Sequence, residues 1–159
     1  MKVSPKAVIT LTSPIGPITL IAQGEKLVHV ELGKKAKTAG SAKVLDDAKK
    51  QFEDYFSGKL SRFSLPLEVP GTEFQKAVWR EIAKLPAGKT LSYGEIAAKL
   101  GNPLASRAVG AAVGANPTPI VVGCHRILGS SGKITGFTGG DGIKTKAWLL
   151  NHENIEFRA

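Results

Sequence analysis

The chain of 159 residues has one cysteine, set in the run Val122-Gly123-Cys124-His125-Arg126-Ile127. A free thiol titrates near 8.5, so at neutral pH it needs a neighbouring base or positive charge to become a nucleophile. His125 is a residue of the first kind and Arg126 of the second. A carboxylate that orients the imidazole would complete a nucleophile–base–orienter set. Glu153, at the end of the last helical pattern, offers one. Two glycine-flanked runs follow the cysteine, Gly129-Ser130-Ser131-Gly132 and Gly136-Phe137-Thr138-Gly139-Gly140, and such a loop can wall a pocket for a flat ligand. Taken alone, the Cys-His pair also allows another account, in which Cys124 is a small buried hydrophobe.

One cysteine excludes an intrachain disulfide and an all-cysteine metal cluster, and it fits a reducing compartment. His29, His125 and His152 are scattered, without metal-ligand spacing, so neither a metal nor a cofactor is expected. No stretch approaches the roughly 20 apolar residues of a membrane span. The basic start, Met1 to Ala7, leads into strand-like alternation and not into a signal-peptide core. The expectation is a soluble, cytoplasmic monomer. Net charge is +9, and positions 96–140 hold no Asp or Glu while including Lys99, Arg107, Arg126 and Lys133. A phosphate-bearing partner would favour that field, although a generally basic surface would also account for it.

These residues need elements to position them. Segments 8–12, 17–21 and 26–32 read as strands, with Ser13-Pro14-Ile15-Gly16-Pro17 as the first turn. Links this short predict an antiparallel sheet. His29 falls in the third strand and reads as structural or exposed. Val44, Ala48, Phe52 and Phe56 recur at helical spacing, predicting a helix over 43–57 that Gly58 ends. Residues 59–70 form a proline-bearing connector, so domains over 1–70 and 71–159 are expected.

The second part reads as helical. Thr72 with Gln75 and Ser92 with Glu95 are capping-box pairs opening helices at 73–85 and 93–100. Trp79 reads as core. Gly101-Asn102-Pro103 reads as a turn, a cap and a first-turn proline for a helix over 103–115. Two helices so joined predict a helix-turn-helix, with a last helix at 143–152. The fold class is therefore α+β: a small antiparallel sheet with a helix, then a mainly helical domain carrying the helix-turn-helix and an active-site loop. The second helix, with Ala108, Gly110, Ala111 and Gly114, has few side chains for base edges. Its gain is close backbone approach, which suits a shallow minor groove or, equally, tight packing in a core.

Read in order, Ser92-Tyr93-Gly94-Glu95, Arg107-Ala108-Val109-Gly110, Asn116-Pro117, Cys124-His125-Arg126 and Gly139-Gly140 resemble the O6-alkylguanine-DNA alkyltransferase family, also called methylated-DNA–protein-cysteine methyltransferases. The resemblance covers nearly the whole chain, Ser13-Pro14-Ile15-Gly16 included. It implies single-use, irreversible repair of duplex DNA, in which a flipped O6-alkylguanine gives its alkyl group to Cys124. By the same resemblance His125 acts through a water as base, Glu153 orients it, and Asn116 fixes the turn before the cysteine. Arg107 fills the space left by the flipped base, Tyr93 crowds the rotated phosphate and bonds the guanine, and Ala108, Gly110, Ala111 and Gly114 form the DNA face. Pro119, Val122, Phe137 and Thr138 are implied pocket walls.

Three departures from the family stand out. Gly123 replaces the usual proline, Phe137 replaces a tyrosine, and Asp141-Gly142 resembles a small insertion. Restoring the proline, Gly123→Pro, is expected to leave the fold intact and to maintain or raise the transfer rate. Two other functions compete: a non-catalytic lesion-binding relative, against which the cysteine counts, and a thiol hydrolase built on Cys124, His125 and Glu153, for which a helix-turn-helix would be superfluous.

Overall fold

The computed structural model describes residues 6–159. Three strands, β1 (Lys6–Leu11), β2 (Ile18–Gln23) and β3 (Lys26–Leu32), form an antiparallel meander in the order β1-β2-β3. Ile18, Leu20 and Ala22 recur at period two and are buried. On β3 the spacing between Leu27 and Val30 is three, which would throw one of them to the wrong face. A register shift between Ile21 and Ala22 absorbs the extra residue, and both are buried.

Helix α1 (Lys43–Phe56) covers this sheet with Val44, Leu45, Ala48, Phe52 and Tyr55. Its N-cap, Ala42, has no capping side chain; the amide of Val44 donates instead to Glu25 Oε1 at 3.0 Å, from the β2–β3 turn. Ile120 and Leu149, from the later half of the chain, complete this core.

Both capping boxes form: Thr72 with Gln75 opens α2 (Glu73–Ala83), and Ser92 with Glu95 opens α3 (Tyr93–Lys99). Helix α4 is shorter than the sequence suggests, Ser106–Gly114 and not 103–115. Its N-cap is Ala105, without a side-chain bond, and Pro103 lies outside the first turn. The reason is local: the Asn102 carbonyl accepts the Ala105 amide at 3.0 Å, so residues 102–105 close a turn of their own. Trp79 is core, and its indole Nε1 donates to the Ala112 carbonyl at 2.8 Å, pinning α2 to α4. Val78, Ile82, Ile96, Val109 and Ile127 pack with Cys124 in this second cluster.

A two-residue parallel ladder joins β4 (Leu91–Ser92) to β5 (Ile127–Leu128), setting the start of α3 beside the chain that leaves the cysteine. Helix α5 (Ile143–His152) ends the order, with Glu153 as its C-cap. Among the described residues, no helix is long and apolar enough to cross a membrane.

Candidate active site

The chain reaches the cysteine through a constrained turn. Pro119 bridges to Val122, and the Val122 amide donates to the Thr118 carbonyl at 3.0 Å. Ile120, fully buried, takes φ 73°, a conformation costly for a β-branched side chain. The Asn116 side chain braces the turn: its Nδ2 donates to the Val122 carbonyl at 2.8 Å, and its Oδ1 accepts the Thr118 amide at 3.0 Å. Gly123 lies at φ −74° and ψ 62°, and the Cys124 amide donates back to the Val122 carbonyl at 2.8 Å, an inverse γ-turn. Cys124 then opens a single 3-10 turn, Cys124–Arg126, whose three side chains are all buried.

That turn sends His125 and Arg126 inward onto one carboxylate. His125 Nε2 lies 2.6 Å from Glu153 Oε2. Arg126 grips both oxygens, Nε to Oε1 at 2.7 Å and Nη2 to Oε2 at 3.0 Å. The Gly88 amide donates to Oε1 at 3.0 Å, and the Tyr55 hydroxyl to Oε2 at 2.5 Å. Burial would raise the Glu153 carboxyl, but the bonds from His125 and Arg126 outweigh it and hold the group below its ordinary range. Burial dominates at His125, lowering its affinity for a proton although Glu153 pulls the other way. The imidazole is thus neutral, its Nε2–H committed to Glu153. Its Nδ1 is buried and has no hydrogen-bond partner among the described residues. A neutral imidazole with one nitrogen fixed as donor has the other available to accept a proton.

Burial pushes the Cys124 thiol up, opposed by a hydrogen bond from Asn116 and the charges of Lys146 and Arg126. Lys146, on α5, is itself buried; its Nζ donates to the Ile127 carbonyl at 2.7 Å and to Thr135 Oγ1 at 3.2 Å, and burial brings it down to about 8. Thr135 in turn shares a 2.6 Å hydrogen bond with the Tyr93 hydroxyl.

A cavity of about 300 Å³ opens onto Cys124. Tyr93, Gly110, Gly114, Asn116, Pro119, Phe137 and Thr138 line it. Val122 does not: its side chain lies beside Leu67, Ala83 and Trp79, lining grooves elsewhere. Only its carbonyl serves the site, through Asn116. Arg107, Ala108 and Ala111 lie on the exposed face of α4, outside the cavity. His29, read from sequence as structural or exposed, lines the cavity with Glu31 and Lys34, so β3 forms one wall. Tyr55 and Lys146 fall within the predicted helices over 43–57 and 143–152, and nothing in the sequence marks them for this site; Arg126 stands out there only as a charge near the thiol. Among the described residues, no three His, Cys, Asp or Glu side chains are grouped to hold a metal.

The chain matches two family models, "6-O-methylguanine DNA methyltransferase, ribonuclease-like domain" over residues 8–69 and "6-O-methylguanine DNA methyltransferase, DNA binding domain" over residues 73–155. It is 43% identical over 152 residues to a methylated-DNA–protein-cysteine methyltransferase of Methanosarcina barkeri, covering 91% of this chain and 96% of that one. The crystal structure of the Mycobacterium tuberculosis O6-methylguanine methyltransferase superimposes with a TM-score of 0.82 at 41% identity, covering 94% of this chain and 93% of that one. A crystal structure of the Mycobacterium tuberculosis OGT in complex with DNA also gives a TM-score of 0.82 at 41% identity, with 92% of each chain covered.

Proposed function

The chain belongs to the 6-O-methylguanine DNA methyltransferase family, and from that premise we propose how its own residues carry out the transfer. The function is direct DNA repair: an alkyl group passes from O6-alkylguanine to a cysteine, and this chain has one, Cys124. Cys124 sulfur attacks the alkyl carbon as the carbon–O6 bond breaks. The thiol proton passes by way of a water to His125 Nδ1, and the guanine anion released as the carbon–O6 bond breaks takes up a proton from solvent water. Glu153, held by Arg126, keeps His125 in the accepting tautomer and stabilises the imidazolium. Tyr93 faces the guanine, with Thr135 and Lys146 behind it. The product is a thioether, a poor leaving group, so each molecule acts once.

Duplex DNA is the substrate, and the damaged base must leave the stack to reach a cavity walled by protein on both sides. The small face of α4, with Ala108, Gly110, Ala111 and Gly114, lets backbone approach backbone, and Arg107 enters the vacated space. Pro119, Phe137 and Thr138 hold the base and its alkyl group.

One observation carries this reading: the only cysteine opens a turn whose next two side chains share one buried carboxylate, behind a cavity bordered by the helix-turn-helix. Incubation with a duplex containing O6-methylguanine is expected to add one methyl group per protein molecule, mapping to Cys124 by peptide mass. Cys124→Ala is expected to take none and still to bind the duplex. Repeated turnover by one molecule, or no adduct on folded protein, would refute the assignment.

A further inference from the structure

Tyr55 lies on α1, in the sheet-and-helix half of the chain, yet its hydroxyl ends 2.5 Å from Glu153 Oε2. That oxygen is the one that accepts His125 Nε2 at 2.6 Å. The Tyr55 ring is 2% exposed and packed against Phe56, Phe63 and His152. Its backbone takes part as well: His152 Nε2 donates to the Tyr55 carbonyl at 2.8 Å. Side chain and main chain of one residue therefore fasten the last residue of α5 and the carboxylate next to it.

Burial and the adjoining carboxylate both raise the Tyr55 hydroxyl, so it stays protonated and is a donor throughout the working range. A carboxylate oxygen shares its negative charge among its donors, and each added donor weakens its hold on the others. Here the donors are His125 and Arg126 from the 3-10 turn and Tyr55 from α1, with the Gly88 amide on the second oxygen. The charges of Arg126 and of Lys146 on α5 also act on His125. Among these, Tyr55 is the one contributor from the first half of the chain.

We propose that Tyr55 is a positioning residue for alkyl transfer, its hydroxyl fixing the Glu153 oxygen that partners His125 and limiting the basicity that oxygen confers on the imidazole. The sheet-and-helix half is then part of the machinery that prepares the thiol, and more than a support for it. The inference rests on His125 being the proton acceptor.

The test is the pH profile of inactivation by free O6-benzylguanine, which reports thiol chemistry without DNA binding. Tyr55→Phe keeps the ring and removes one donor from Oε2. The imidazole then holds its proton more tightly, and the acid limb of the profile moves to higher pH. A shift of about half a unit or more is the order that one lost hydrogen bond supplies. Well above the limb the rate is expected to approach that of the unmodified protein. A stronger donor, 3,5-difluorotyrosine placed at position 55, keeps every ring contact and is expected to move the limb to lower pH. This second variant decides the matter if Tyr55→Phe fails to fold. Rates lowered by one factor at every pH, or a limb unmoved in either folded variant, would overturn the role of Tyr55. If the unmodified protein does not take the benzyl group, the same profiles are read with the O6-methylguanine duplex, and failure of methyl transfer there would instead overturn the alkyl-transfer reading.

Discussion

Gly123 shows how far one residue can be read without its neighbours. Its φ of −74° lies within the range a proline imposes, and its amide donates no backbone hydrogen bond among the described residues. Both backbone conditions for a proline are met here. The space beside it is the obstacle. A Cβ built on Gly123 would come within 2.5 Å of Arg126 Nη1 and 2.9 Å of Arg126 Cζ. That guanidinium is buried and tied to Glu153 and to the Leu85 carbonyl. Fixing φ is worth about 0.4–1 kcal/mol, whereas disturbing a hydrogen bond to a charged group costs about 1.5–3 kcal/mol. The second effect wins. Gly123→Pro and Gly123→Ala are both expected to melt lower and transfer more slowly, the proline variant less so, by thermal unfolding and single-turnover rates. An unchanged or faster Gly123→Pro would mean that Arg126 moves aside at no cost. Cys124, His125 and Glu153 could be picked out in sequence because their types imply chemistry at any location. Tyr55 could not, since a tyrosine on an apolar helix face implies no chemistry and its partner lies 98 residues away, and Arg126 stood out only as a charge near the thiol, not as the partner of Glu153.

At the scale of elements, what could be read was whatever repeats or caps locally. The two capping boxes and the apolar stripes of α1 and α2 are patterns within a few residues, and they form. The β4–β5 ladder is two residues long and has no period, so nothing in the sequence marks it. Yet it brings the Ser92 cap of α3, and so Tyr93, beside the chain leaving Cys124. Helix α4 divides cleanly: Val109, Ala112 and Val113 are buried, while Arg107, Ala108, Ala111 and Gly114 face outward. A Cβ on Gly110 would stand 3.9 Å from the Tyr93 ring, an ordinary contact distance, and one on Gly114 would meet nothing within 4 Å, so packing does not require these glycines and their smallness is free to serve an approachable surface. Arg107 is exposed and outside the cavity, a placement that suits work on the duplex and not on the thiol. Arg107→Ala is therefore expected to slow repair of O6-methylguanine in duplex DNA roughly tenfold or more, because flipping costs a few kcal/mol. Reaction with free O6-benzylguanine, which needs no flipping, is expected to change much less. Equal losses in the two second-order rates would remove Arg107 from the flipping step.

For the whole molecule, Glu153 is where distant segments meet: α1 through Tyr55, the turn after α2 through Gly88, and the active-site turn through His125 and Arg126. Its side chain is 1% exposed, so the pair with Arg126 is buried, and removing one charge from such a pair typically costs about 3–5 kcal/mol because the other is left uncompensated. Glu153→Gln nearly keeps the shape and removes the charge. It is expected to lower the melting temperature by roughly 6–20 °C, at about 2–4 °C per kcal/mol for a chain of this size. The same carboxylate sets part of the acid response. Its folded-state pKa lies below the ordinary 4.5, so its contribution is complete above that value and is lost as pH falls through the folded one. His125 acts earlier. It is buried neutral with its pKa lowered from 6.5, so the unfolded chain takes up that proton first, and stability begins to fall once pH drops below about 6.5. Two steps are expected in the unmodified protein, a gentle loss below 6.5 and a steeper one below 4.5, followed as melting temperature against pH. Glu153→Gln should start lower and lack its share of the second step, because no carboxylate remains there to be protonated. If the variant and the unmodified protein lose stability in parallel below pH 4.5, the charge on Glu153 does not hold these segments together.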